Sequence, residues 1–178
     1  MKQLSETIDN CEADTLLLSG TFDPSHRGHI RALEEGFEAY PQARSAIVLP
    51  HSWNPKKAPR HSVEVRSRWF QQSMEHFAEH LLPRVSIVDC DGLNGREGLG
   101  HFDDLLVRNR TKIIRIIGEV GSGRMLDFLQ RNSIRHLLVS RVPCHSSSEI
   151  KEAIVKGEID RVRDLVEPSV LEEVLSSR

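Results

Sequence analysis

Apolar residues fall into short runs that alternate with stretches of helical period. Residues 15–22 form an apolar run of strand length that passes into Gly20-Thr21-Phe22-Asp23-Pro24, a turn composition. Ile30, Leu33, Phe37 and Tyr40 then recur at steps of three and four, which predicts an amphipathic helix stopped by Pro41. Residues 46–49 predict a second strand closed by Pro50, and residues 51–61 a polar loop carrying Pro55 and Pro59. Ser62 is placed to cap a helix with Glu64 in its first turn and Val65, Trp69, Met74, Phe77 and Leu81 on roughly one face. Residues 85–88, 112–117 and 136–139 predict three more strands, residues 92–100 a glycine-rich loop, and residues 102–108 and 124–131 two more helices. The stretch 146–175 reads as two helices broken near Pro168.

Strands alternating with helices predict an α/β fold, a parallel sheet with helices on both faces. At 178 residues the chain suits one domain, with residues 1–14 as an N-terminal extension and 146–178 as a C-terminal helical part. Ligands of such sheets bind beyond the carboxyl ends of the strands, where strand order reverses. The loops after the first and fourth strands are therefore the places to search.

Composition narrows the function classes. Aromatic residues are 5% of the chain, too few for a platform on which single-stranded nucleic acid stacks. The net charge of −2 lacks the basic surplus of a nucleic-acid binder, so no nucleic-acid partner is expected. No apolar run approaches a membrane span, and residues 1–10 are polar and mixed in charge, unlike a signal peptide. Cys11, Cys90 and Cys144 form no CxxC pair, which fits reduced thiols and a cytoplasmic location.

The richest chemistry lies in GTFDPSHRGH, residues 20–29. His26 and His29 stand three apart where a helix begins, so both can face one spot. The helix N-terminus offers free N–H groups and the positive end of a dipole, which favours phosphate, and Gly28 permits close approach. Two imidazoles there can stabilise charge that grows in a transition state. A bare pair of histidines could equally cap a helix, lie in solvent or bind a metal. The complete string after an apolar strand is far more specific.

This segment resembles the nucleotidyltransferase superfamily defined by a (T/H)xGH motif, and within it most resembles the bacterial nicotinate-mononucleotide adenylyltransferases, which carry GTFDPxHxGH. The resemblance implies a Rossmann-like, doubly wound fold of about five strands, ATP as nucleotide donor, Mg²⁺ held mainly by its phosphates, and adenylyl transfer with loss of pyrophosphate. It assigns catalysis to His29 and His26, and nucleotide contacts to Gly20, Thr21, Phe22, Gly28 and Gly118. Near the C-terminus the family opens a helix with an ISSTxxR-type segment, matched here by His145-Ser146-Ser147-Ser148-Glu149-Ile150-Lys151. Ser147, Ser148 and Lys151 would hold the outer phosphates, with Lys151 in place of the family's arginine. Arg141 matches the arginine after the fifth strand. In the loop after the second strand, Lys56, with Arg66 in the next helix, would bind the acceptor's phosphate.

Three departures concern the acceptor. Where the family has a Ser-Tyr-Thr-like segment placing the pyridine ring, this chain has Gly98-Leu99-Gly100-His101-Phe102-Asp103, leaving His101 or Phe102 to stack on a ring. The family's GxD reads Gly118-Glu119-Val120, and the tryptophan of the following helix is absent. The expected partners are ATP and a phosphorylated small molecule, a mononucleotide first, and a homo-oligomer is compatible with the sequence. Phosphopantetheine, a sugar phosphate or choline phosphate are the alternative acceptors, with CTP an alternative donor. A non-catalytic nucleotide-sensing module is the alternative of a different class.

Overall fold

The computed structural model describes residues 2–52, 58–88, 95–118, 123–140 and 146–177. Five strands, β1 (Thr15–Gly20), β2 (Ala46–Pro50), β3 (Val85–Ile87), β4 (Ile113–Gly118) and β5 (Arg135–Val139), form one sheet in the order β3-β2-β1-β4-β5. Every pairing is parallel, with Leu17 opposite both Ile47 and Arg115. This is the doubly wound arrangement, and its order reverses between β1 and β4. The crevice of the fold therefore opens beyond Gly20 and Gly118, the last residues of those strands.

Alternate residues of the central strands feed two cores, as the two-residue period of a strand requires. Leu16, Leu18, Val48, Ile114 and Ile116 pack under α2 (Arg27–Ala39) and α3 (Val63–Ala78). Leu17, Ile47, Leu49, Ile113 and Ile117 face α1 (Lys2–Asp9), α4 (Gly95–Arg108) and α5 (Gly123–Arg131). A third cluster joins Trp69 of α3 to α6 (Ser147–Val155) and α7 (Pro168–Ser176), and the Trp69 indole N–H donates to Glu173 at 2.9 Å. The C-terminal helices are thereby pinned to α3, which leads back to the loop after β1. No described helix is long and apolar enough to cross a membrane.

The elements differ from the sequence expectations in four places. The first strand stops at Gly20, because Phe22 adopts a left-handed φ of 48° that no strand tolerates. Residues 95–100, expected as loop, are the first turns of α4; the burial of Phe102, Leu105 and Leu106 overrides the glycines' poor helix propensity. Residues 92–94 lie outside the described residues. The N-terminal extension contains α1, whose Leu4 and Ile8, four apart, are fully buried. Pro168 opens α7 at its first turn, where a missing N–H costs nothing, and Val155 ends α6 well before it.

Gly36 sets how closely α2 lies on the sheet. A Cβ there would come within 2.7 Å of Ile116 Cδ1 and 3.1 Å of Leu16 Cδ1. Gly36→Ala gains helix propensity but overpacks that contact, so we expect a net loss of about 1–2 kcal/mol in urea unfolding. A more stable variant would mean that α2 can rise from the sheet without loss.

Candidate active site at the switch point

The loop after β1 is held from three sides. Phe22, at its strained φ, is buried with its ring edge-on to both His29 and Phe70, at 4.8 Å between centroids in each case. A Cβ on Gly20 would stand 3.0 Å from that ring, so the glycine makes room for the turn. Asp23 is 1% exposed and gathers three donors: the Arg60 N–H at 2.8 Å, His61 Nδ1 at 2.6 Å and Lys151 Nζ at 3.2 Å. Burial raises its carboxyl pKa. The hydrogen bonds from Arg60 and His61, with the charge of Lys151, outweigh burial and hold it below the usual carboxylate range.

His26 and His29 then cap α2 reciprocally. His26 Nδ1 accepts from the Gly28 N–H at 3.2 Å, and His29 Nδ1 accepts from the His26 N–H at 3.3 Å. Their rings lie 3.7 Å apart between centroids, tilted by 33°. Because each Nδ1 accepts, each neutral ring carries its proton on Nε2. The histidines are thus both caps and, through Nε2–H, donors, at a helix end that already attracts anions. His26 is buried, whereas His29 is partly exposed.

The second motif folds onto the first. Ser146 and Glu149 form a capping box that starts α6 beside the loop. Ser147 Oγ donates to the Pro24 carbonyl at 2.9 Å, and Lys151, one turn on, pairs with Asp23. Ser148 is exposed in the first turn. Segments some 120 residues apart in sequence so meet around Asp23 and Pro24. Gly118 ends β4 with open space where a Cβ would stand. Lys56 and Arg141 lie outside the described residues.

Arg66 is 1% exposed and turned on the protein. Its guanidinium donates to the carbonyls of Thr21 (2.5 Å) and His51 (3.1 Å) and to Ser52 Oγ (3.1 Å), while Nε reaches His61 O and Ser62 O. It clamps the loop after β1 to the end of β2. Phe102 is fully buried in the core under α4, and His101 Nε2 meets Ser5 Oγ of α1 at 3.2 Å. The Phe102 ring is thereby closed off as a stacking face, whereas His101 stays partly exposed.

Two charged residues were missed in the sequence. Asp23 lies inside the motif, but its partners are 37, 38 and 128 positions away and follow no local pattern. Arg115 was legible as a lone cation within an apolar strand run, an anomaly in a strand buried on both faces.

The family described as cytidylyltransferase-like matches residues 17–153. Phosphopantetheine adenylyltransferase of Actinobacillus pleuropneumoniae is 34% identical over 94 residues, covering 53% of this chain and 54% of that protein. The chain thus spans about half the length of the first curated relatives it matches. A protein of Sulfurimonas denitrificans named "Probable nicotinate-nucleotide adenylyltransferase" is 26% identical over 154 residues, covering 83% of this chain and 79% of that protein. Among solved structures, Plasmodium falciparum nicotinic acid mononucleotide adenylyltransferase complexed with NaAD superposes with a TM-score of 0.63. The alignment covers 92% of this chain and 95% of that one at 14% identity, a likeness of fold.

Proposed function

The chain belongs to the cytidylyltransferase-like family, and from that premise we propose that it is an adenylyltransferase of the cytoplasm. It transfers AMP from ATP to nicotinate or nicotinamide mononucleotide and releases pyrophosphate, a step of NAD synthesis. The observation that carries this reading is the meeting of the two motifs: Ser147 and Lys151 of α6 on Pro24 and Asp23, beside the histidine pair at the sheet's switch point.

In this reading a phosphate oxygen of the acceptor attacks the α-phosphorus of ATP. The new P–O bond forms as the bond to the pyrophosphate oxygen breaks, with no covalent enzyme intermediate. The protein's work is positioning and charge stabilisation. His29 gives its Nε2–H to the α-phosphate as charge builds, and His26 reinforces the same helix end. The backbone of Gly20, Thr21 and Phe22 lines the nucleotide, Gly28 lets it approach, and Gly118 borders the adenosine. Ser147, Ser148 and Lys151, with Arg141, hold the donor's phosphates. Lys56 binds the acceptor's phosphate, and Arg66 fixes the loops that shape its seat.

Mg²⁺ would enter on the triphosphate and neutralise part of its charge. The motif carboxylate, Asp23, has both oxygens engaged, and among the described residues no three or more His, Cys, Asp or Glu stand together as a cation cage. These residues fit an ion whose ligands are mainly phosphate oxygens.

The test is pyrophosphate release with ATP and Mg²⁺ against a panel of nicotinate mononucleotide, nicotinamide mononucleotide, phosphopantetheine and sugar phosphates, with CTP as the competing donor. Release that requires ATP and a pyridine mononucleotide is expected. Phosphopantetheine is the second reading, favoured by the 34% identical relatives that carry its name. ATP binding without release for any acceptor would support a sensing module instead.

A further inference from the structure

The side of the sheet facing α4 holds a charge that the mechanism above leaves unused. Arg115 sits in the middle of β4 between Ile113 and Ile117, 4% exposed. Its guanidinium is fixed: Nη1 donates to Leu17 O at 2.8 Å and to Ile116 O at 3.3 Å, Nη2 donates to Ser19 Oγ, and the Phe102 ring lies 5.5 Å away. The Nε–H is closed to solvent and has no acceptor. Nearby on α4, Oδ1 of Asp103 is also closed to solvent and has no donor. The two charges act on one another. Burial pulls the Arg115 guanidinium down to about 10 against the pull of Asp103. Burial and Asp104 push the Asp103 carboxyl up against the pull of Arg115. Even so, they form no hydrogen bond to each other. His51, just beyond β2, stands by as a neutral ring, since burial and the charges of Arg115 and Arg66 push it down to about 3.

Buried polar atoms are almost always satisfied, and exceptions call for a reason. Here a donor and an acceptor that act on one another are left unmatched, and the Arg115 guanidinium reaches Ser19 near the end of β1 and acts on His51 just beyond β2, toward the side where this topology binds ligands. We propose that Arg115 and Asp103 read the ring substituent of the acceptor and select a primary carboxamide over a carboxylate. The inference rests on the pyridine-mononucleotide reading above. A carboxamide offers its carbonyl oxygen to Arg115 Nε–H and an N–H to Asp103 Oδ1, so both unmade bonds form at once. A carboxylate suits Arg115 but sets a like charge against Asp103. Admission of the ring parts α4 from the strand floor, and the two new hydrogen bonds offset that opening.

The experiment compares kcat/KM for nicotinamide and nicotinate mononucleotides in pyrophosphate release, and their binding to the free enzyme by titration calorimetry. The wild type is expected to favour the amide by about tenfold or more, in binding as well as turnover. Asp103→Asn, whose amide can donate to a carboxylate, is expected to shift the preference toward the acid by at least about tenfold. Arg115→Gln removes the donor that suits both acceptors, so it is expected to weaken binding of both while the amide stays preferred through Asp103, and a thermal melt shows whether that buried change is tolerated; Asp103→Asn carries the test if it is not. Turnover of both acceptors without amide preference, or a ratio unchanged in Asp103→Asn, overturns this inference and leaves the proposed function standing. Turnover of neither mononucleotide overturns both.

Discussion

His29→Ala should lower turnover by about two orders of magnitude or more, the scale of one lost transition-state donor. The ring's proton is directed to Nε2 because Nδ1 is taken by the His26 N–H. The Nε2–H is therefore the ring's donor, and in the proposed mechanism it serves the α-phosphate. An interaction made mainly as charge develops should show in kcat far more than in ATP affinity. Loss of the ring also removes half of a reciprocal cap and an edge contact with Phe22, so stability should fall by about 1 kcal/mol while the fold survives. His29→Asn should keep part of the activity, since its amide oxygen can take over the cap or its NH₂ the donor role. Steady-state kinetics, direct ATP titration and a thermal melt separate these effects. Normal turnover by His29→Ala would remove the residue on which the mechanism most depends.

The sheet was legible because each central strand is buried on both faces, and such strands show as largely apolar runs between turn residues, broken in β4 by Arg115. The alternation of strands and helices directed the search to the loops after the first and fourth strands, and the observed strand order reverses between those strands, which end at Gly20 and Gly118. What escaped the sequence depends on packing rather than pattern. The helix α1 has only Leu4 and Ile8 to signal it, and eight residues cannot hold a helix without tertiary contacts. The start of α4 is spelled with glycines and was hidden for the opposite reason, local preference against tertiary burial. Within the site, GTFDPSHRGH could be read because its chemistry is contiguous. That Lys151 would be held by Asp23, or that Arg66 would spend its guanidinium on Thr21 and His51 carbonyls, could not, because those partners are brought together only by the fold.

Asp23→Asn should be the most damaging conservative change in the molecule, raising the KM for both substrates at once. The carboxylate holds Lys151, proposed to grip the donor's phosphates, and the Arg60–His61 pair that ends the loop proposed to carry the acceptor's phosphate. An asparagine offers one acceptor oxygen for three donors, and its NH₂ meets an N–H it cannot accept. Hydrogen bonds to a charged group contribute roughly 1.5–3 kcal/mol each, so a loss of about 2 kcal/mol or more is expected in urea unfolding. Lys151→Ala should raise only the KM for ATP, and His61→Ala mainly that for the acceptor. The pH dependence gives an independent signature. A carboxyl whose folded pKa lies below its unfolded value stabilises the fold in full above the ordinary carboxylate range, and that stability is lost as pH falls through the lower, folded pKa. Wild-type stability should therefore decline on acidification below about pH 4. In Asp23→Asn the contribution is already missing at neutral pH, so the difference between the two proteins should narrow as the solution is made more acid. A difference that stays constant from pH 7 to pH 3 would mean that Asp23 acts through shape alone and that its charge holds neither Lys151 nor His61 in place.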